Sequence, residues 1–295
     1  MAAQTPLSRY ARVQRTVDRE LAAHLKDAAD EAERMILALG KKKGTAAAIR
    51  RAQLSGTLKQ LRKLQNELWG NVSKTMQQGY ERAAEAAAEA EIAINKVLFD
   101  AAGVRHASFD DAMRIQAQAG VDNFVARGIN DIPLSRQVYK TQALAKKQVD
   151  KAVNRALLLN FSAKELAETV KHLINPNTPG GVSYAAMRLA RTEINNAFHT
   201  TQINLRKGDP WTEGFKWNLS GSHPKTDVCN DYAGSVHFKG GEPGVYKPDD
   251  VPGKPHPQCL CFVTTETIST DDFIDKMARG DFDSFMEDKL ADFGA

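Results

Sequence analysis

Four side chains in the C-terminal third of this sequence could hold a metal ion together: Cys229 in HPKTDVCNDYAG, and His256, Cys259 and Cys261 in PGKPHPQCLCFV. Three thiolates and one imidazole are the number and kind of ligand that a tetrahedral structural Zn2+ takes. The spacing C-x26-H-x2-C-x-C brings one distant ligand onto a compact knuckle. Prolines on both sides of His256 reduce the entropy lost when that loop is ordered. Two other states of the same sulfurs stay open at this level: a disulfide from Cys229 to Cys259 or Cys261, and three buried free thiols. The chain has only these 3 cysteines, too few for a secreted disulfide framework and in keeping with a reducing compartment.

The same residues do not spell a catalytic site. A zinc nucleobase deaminase carries H-x-E followed by P-C-x-x-C. Here His256 is followed by Pro257 and Gln258, His223 by Pro224 and Lys225, and the cysteines form C-x-C. A nucleophilic pair of Cys229 with His223 or His256 has no local signature to support it. The expectation is therefore a non-enzymatic protein, with no catalytic residues assigned.

The elements that must position these ligands have two textures. From about Leu7 to Leu159 the chain is rich in Ala, Leu, Lys, Arg, Glu and Gln, all strong helix formers. Val17, Leu21, Leu25, Ala28 and Ala32 recur at three-to-four spacing, one face of a helix. GKKKG at Gly40–Gly44 breaks the pattern, and a second helix follows, with an interruption expected near Gly70 and Asn71. GKKKGT lacks the spacer of a phosphate-binding P-loop and sits between helices, so it reads as a basic turn. A further helix is expected after Pro133. Ser162 and Glu165 make a capping box for the next one. NPNTPGG, Asn175 to Gly181, is a loop by its Pro and Gly content, and Ser183 opens a helix that Gly208 ends.

That last helix carries a polar line, Arg188, Arg191, Asn195, His199, Gln202 and Arg206, beside an apolar stripe through Met187, Ala190, Ile194 and Leu205. Its simplest reading is the solvated side of an amphipathic helix. The other is that Arg191 and Glu193 are partly buried ion-pairing residues that hold the region after them. Beyond Gly208, GFKWNLS alternates as a strand does, and SVHFKGG and LCFVTTE read as two more. A β module this small usually needs a staple. The fold class is thus α+β, mostly α: a long-helical N-terminal half, then a helical segment and a small, loop-rich β module with a Cys/His cluster.

Charge is uneven although the net is only +4. Residues 1–66 hold 14 Lys/Arg against 6 Asp/Glu, or +8, and residues 264–295 hold 3 against 9, or −6. Such asymmetry marks interaction surfaces. Lys41, Lys42, Lys43, Arg50 and Arg51 are candidates for contact with nucleic acid or an acidic partner. The acidic end repeats Phe273, Phe282, Phe285 and Phe293, the pattern of short docking helices for a partner's groove, or else of a frayed tail. No apolar run is long enough to span a membrane, and the first twenty residues do not form a signal peptide.

In order, SAKELAETV, YAAMRLARTEINNAFHTTQ, Trp217, TDVCNDYAG and PHPQCLC resemble the phage Mu F-like minor head proteins, the head morphogenesis or minor capsid family of tailed bacteriophages. The resemblance covers about residues 155–265. Its motif positions fall on Arg191, Thr192, Glu193, Trp217, Asp227, Cys229, Gly234, His256, Pro257, Cys259 and Cys261. Tyr232 stands where many members have a second cysteine, which leaves a histidine as the necessary fourth ligand, and Leu260 stands where they have arginine. The resemblance does not reach the basic helical N-terminal half; with texture and charge it divides the chain into an extended helical region (1–154), a Mu F-like domain (155–267) and an acidic tail (268–295). It implies a low-copy virion protein at the portal vertex or inside the capsid. Its expected partners are the portal protein, the major capsid protein or packaged double-stranded DNA, in the host cytoplasm during assembly and in the head afterwards. A phage-delivered enzyme or toxin-like effector built on the same module is the alternative.

Overall fold

Three helices account for most of the first 130 residues: α1 (Pro6–Gly40), α2 (Ala47–Ala101) and α3 (Ala107–Asn130). A short helix α4 covers residues 147–155, followed by α5 (Ala163–Ile174) and α6 (Val182–Arg206). Strand β1 (Thr212–Asn218), helix α7 (Val228–Gly234), strands β2 (Val245–Tyr246) and β3 (Phe262–Thr267), and helices α8 (Thr270–Ala278) and α9 (Asp283–Phe293) complete the order. The fold is α+β and mostly α. The computed structural model describes residues 6–40, 47–130, 143–145, 147–155, 163–174, 182–221, 223, 226–256 and 259–293. Lys41, Lys42, Lys43, Pro257, the capping serine Ser162, Pro133 and the Asn175–Gly181 loop lie outside them. Arg50 and Arg51 fall within α2. No helix among the described residues is long and apolar enough to cross a membrane.

The break expected at Gly70–Asn71 does not occur; α2 runs through it for 55 residues. A glycine inside a helix costs only about 1 kcal/mol. Gly70 is exposed, while Leu68, Trp69, Val72 and Met76 around it are buried, so packing outweighs the local preference.

The described chain divides into two compact units, each built from separated stretches. One comprises residues 14–78 and 127–191. Its core includes Val17, Leu21, Leu25, Ala28, Ala32 and Ile36 of α1, with Leu61 and Leu68 of α2, Val149 of α4, and Leu166 and Val170 of α5. Ion pairs Arg62–Asp150 (3.0 Å), Lys171–Glu33 (2.6 Å) and Arg191–Asp18 (2.9 Å) lie at its surface, where such pairs add little.

The other unit comprises residues 1–13, 79–126 and 192–295 and holds every candidate ligand. Its larger core centres on Trp211, whose ring meets Phe99, Phe273 and Phe282 edge-on at 5.6, 5.5 and 5.2 Å. Phe273 of α8 and Phe282, just before α9, are thus buried in their own chain. The acidic end is neither a frayed tail nor a free peptide for a partner's groove. Ser269 caps α8 by accepting the Asp272 N–H at 3.0 Å.

The sheet is antiparallel in the order β2-β1-β3, with Phe215 opposite Tyr246 and Trp217 opposite Val263. SVHFKGG is not one of its strands. Both edges of β1 are taken, one by β3 and the other by two residues of β2, so residues 235–241 turn instead. Gly244 closes that turn at φ +77°, donating to Ser235 O and accepting from the Trp217 N–H. A Cβ there would lie 2.6 Å from the Ala233 oxygen, so only glycine fits without strain.

A buried charge group joins α2, α6, β3 and α9 inside this unit. Arg206 of α6, fully buried, donates to Glu91 (2.7 Å), Asp209 (2.8 Å), Asn95 and the Glu91 carbonyl (2.9 Å). Gln202 and Thr265 each donate to Glu91 at 2.9 Å, and the Trp211 indole donates to Asn95 at 3.1 Å. Lys289 of α9 donates to the Leu205 carbonyl (3.3 Å) and to Gln116. Two cations and two carboxylates therefore balance in the interior. Burial pulls the Lys289 ammonium down to about 8 from 10.5. Between those pH values the unfolded chain binds the proton that the folded one has released, so stability rises with pH across that window. Denaturation midpoints of the native protein and Lys289→Met, compared from pH 8 to pH 10.5, should show the native protein gaining on the variant. A constant difference would contradict a buried ammonium.

Candidate metal centre

The residues around Cys229 are set by a helix start. Asp227 is the N-cap of α7; its carboxylate accepts the Cys229 N–H at 2.8 Å, while Asn230 Oδ1 accepts the Asp227 N–H at 2.9 Å, a reciprocal capping box. The Cys229 N–H bond, the largest influence, holds the Asp227 carboxyl below its ordinary range. Cys259 and Cys261 stand on the extended chain entering β3, so both point inward and Leu260 between them is exposed. All three cysteines are buried and unbridged.

Five ligand atoms gather here. Cys229 Sγ lies 3.5 Å from Cys259 Sγ and 3.3 Å from His256 Nε2. Cys261 Sγ lies 3.6 Å from His223 Nδ1. These form two triads, Cys229–His256–Cys259 and His223–Cys229–Cys261, each with its atoms within 4.8 Å of one another. A disulfide needs about 2.05 Å between sulfurs. A tetrahedron of ligands about 2.0–2.3 Å from a central ion has edges of roughly 3.3–3.8 Å. Each of these separations falls in that range within one triad or the other, and the two triads share only Cys229, so the cluster could hold a metal ion.

Burial, reinforced by the neighbouring Cys259 and Cys261, pushes the Cys229 thiol far above its ordinary value, and burial pushes Cys259 up too. Both therefore favour the neutral thiol, and only a bound cation would hold them as thiolates. A dication would leave one negative charge, and the Lys254 ammonium is placed to offset it, donating to the Cys261 carbonyl and lying 5.2 Å from the Trp217 ring centroid.

Helix α6 supports the cluster through the C-terminal part of its polar line, which is not a solvated face, whereas Arg188 is exposed and Arg191 partly so. Asn195, His199, Gln202 and Arg206 are all buried. Asn195 donates to the Cys259 carbonyl, and the His199 Nε2–H donates to the Pro252 carbonyl at 2.9 Å. Burial drives His199 down to about 3, helped by Lys254, so the ring is neutral. His199 also packs edge-on against Trp217, with centroids 5.7 Å apart.

Trp217, Cys229, Cys259 and Cys261 share one buried cluster with Phe215, Tyr246 and Val263. Tyr232 packs its ring on Trp217 at 5.1 Å. Arg191 is partly buried and ion-paired, as expected, but its partner is Asp18 of α1 and not the region that follows, and Glu193 bonds Asn196 while burial raises its carboxyl. The support comes instead from Asn195 and His199, one and two turns further along. His223 is the ligand candidate that spacing does not select. Its one signal is its position six residues before Cys229, with Asp227 between. Compared with family models, curated proteins and solved structures, the chain matches none.

Proposed function

We propose that this protein is a minor head protein of a tailed bacteriophage, similar to the Mu F-like family, with a structural zinc ion pinning its β module. One observation carries the reading. Pieces of the family motif that are far apart in sequence (the Trp217 strand, the Asp227–Cys229 turn and the closing Cys-x-Cys) meet in one buried place, backed by Asn195 and His199 of α6. A module with so little apolar core gains its order from the ion. The site then serves assembly and not turnover: the protein sits at low copy at the portal vertex or inner capsid, against portal or major capsid protein. Locating the chain in intact particles tests this, with zinc measured on the same sample. Low-copy chains in the head carrying zinc are the expected result. Exclusion from particles, with an enzymatic activity in the purified protein, would favour the effector reading.

The basic N-terminal region, with Lys41, Lys42, Lys43, Arg50 and Arg51, is assigned to the phosphate backbone of packaged DNA. Full-length protein should bind duplex DNA without sequence preference, with log K falling steeply as log salt rises. Changing the three lysines to glutamine should flatten that slope by about one per lysine. Titrations at several salt concentrations measure it, and an unchanged slope would remove the assignment.

A further inference from the structure

From the way the two imidazoles are held, we infer that the imidazole ligand is His223, through Nδ1, in the triad it forms with Cys229 and Cys261, and that His256 is a supporting residue outside the coordination sphere. This rests on the zinc site proposed above. An imidazole nitrogen offers either a lone pair to a metal or a proton to an acceptor, not both. A metal-bound histidine therefore binds with one nitrogen and donates its other N–H to a carbonyl or carboxylate, which fixes the tautomer.

His223 has that arrangement. Its Nε2 lies 2.9 Å from Asn230 Oδ1 and 3.6 Å from Asp227 Oδ1. Asn230 Oδ1 is defined as an acceptor independently, because it takes the Asp227 backbone N–H. The proton is thereby placed on Nε2, and the Nδ1 lone pair faces Cys261 at 3.6 Å. The backbone N–H of His223 is bound to Ser220 O at 2.9 Å, which steadies the residue.

His256 has the opposite arrangement. The nitrogen that faces Cys229 (3.3 Å) is the same Nε2 that faces the Asp227 carboxylate at 3.2 Å. As a lone pair it would oppose a carboxylate oxygen. As an N–H it is a shared donor to Asp227 and to the Cys229 sulfur, a hydrogen bond to a ligand thiolate. Exposure separates the two rings as well: the His223 side chain is 10% exposed and that of His256 35%. The capping box of α7 thus orients the metal ligand, since Asp227 and Asn230 serve both the helix start and the imidazoles.

Full-length protein with isotopically labelled histidine, loaded with spin-active cadmium, tests this. The expected result is a one-bond cadmium–nitrogen coupling on an Nδ1, lost in His223→Gln and retained in His256→Gln. The affinity of His256→Gln should fall about 10–100-fold, as for an outer-sphere change, and that of His223→Gln further. Coupling on an Nε2, coupling to two rings, or bound cadmium with no histidine coupling would each overturn the assignment while leaving a metal centre in place. A chain that binds neither cadmium nor zinc would remove the zinc site itself. Should His223→Gln not fold, the unmutated protein still decides, because the two histidines present different nitrogens.

Discussion

Arg206→Met is expected to destabilise the unit that contains the candidate metal centre by about 3–5 kcal/mol, the cost of removing one partner from a buried ion pair. Arg206 is fully buried, and no water could replace its bonds to Glu91, Asn95 and Asp209. The methionine would fill much of the volume but leave two buried carboxylates with Lys289 as the one remaining cation of the group. Burial already raises the Asp209 carboxyl, with Arg206 as the main opposing influence. Without the guanidinium, one carboxylate must take up a proton or the segment must open. Denaturant unfolding followed by the fluorescence of Trp211, whose indole shares Asn95 with Arg206, would measure the loss. Pairing the change with Glu91→Leu should recover part of it, since replacing both partners by apolar groups is often nearly neutral. A loss below about 1 kcal/mol for the single variant would mean that the polar line of α6 is hydrated after all.

Cys259→Ala should reduce bound zinc from about one ion per chain to almost none, since a structural zinc site depends on every one of its four ligands. Its structural consequence should be local. The β module is held through Cys229, Cys259 and Cys261, whereas the second core of the same unit is held by Phe99, Trp211, Phe273 and Phe282 without any of them. Hydrogen exchange should therefore quicken at β1, β2 and α7 and stay slow around Phe99 and Phe273. Treating the native protein with a strong chelator should reproduce the pattern. Native protein that contains no metal, with β1 protection unaffected by the variant, would leave three buried thiols as the description of the site.

How far residue order alone reaches can be seen element by element. The buried face of α1 was legible because Val17, Leu21 and Leu25 repeat with the helix period, and β1 because Phe215 and Trp217 alternate. The three sulfurs and His256 stood out by type and spacing. Asn195 to Arg206 was misleading for a physical reason. Whether a polar line faces water depends on what lies opposite, and the carboxylate opposite it, Glu91, sits in an Ala-rich stretch that reads only as helix propensity. Two-residue β2 is too short to show a period. His223 was passed over because a fold, not a spacing, brings Asp227 and Asn230 to its far nitrogen.

Because the Trp211 core draws on Phe99 from α2 and on Phe273 and Phe282, about 170–180 residues further along, it cannot close while the intervening chain is still being made. At about 5–20 residues per second, Phe99 waits roughly 10 to 40 s for its last aromatic neighbours. During that interval a nascent chain presents greasy, unfinished helices to the cell, so its yield should depend on chaperones far more than a protein folding segment by segment would.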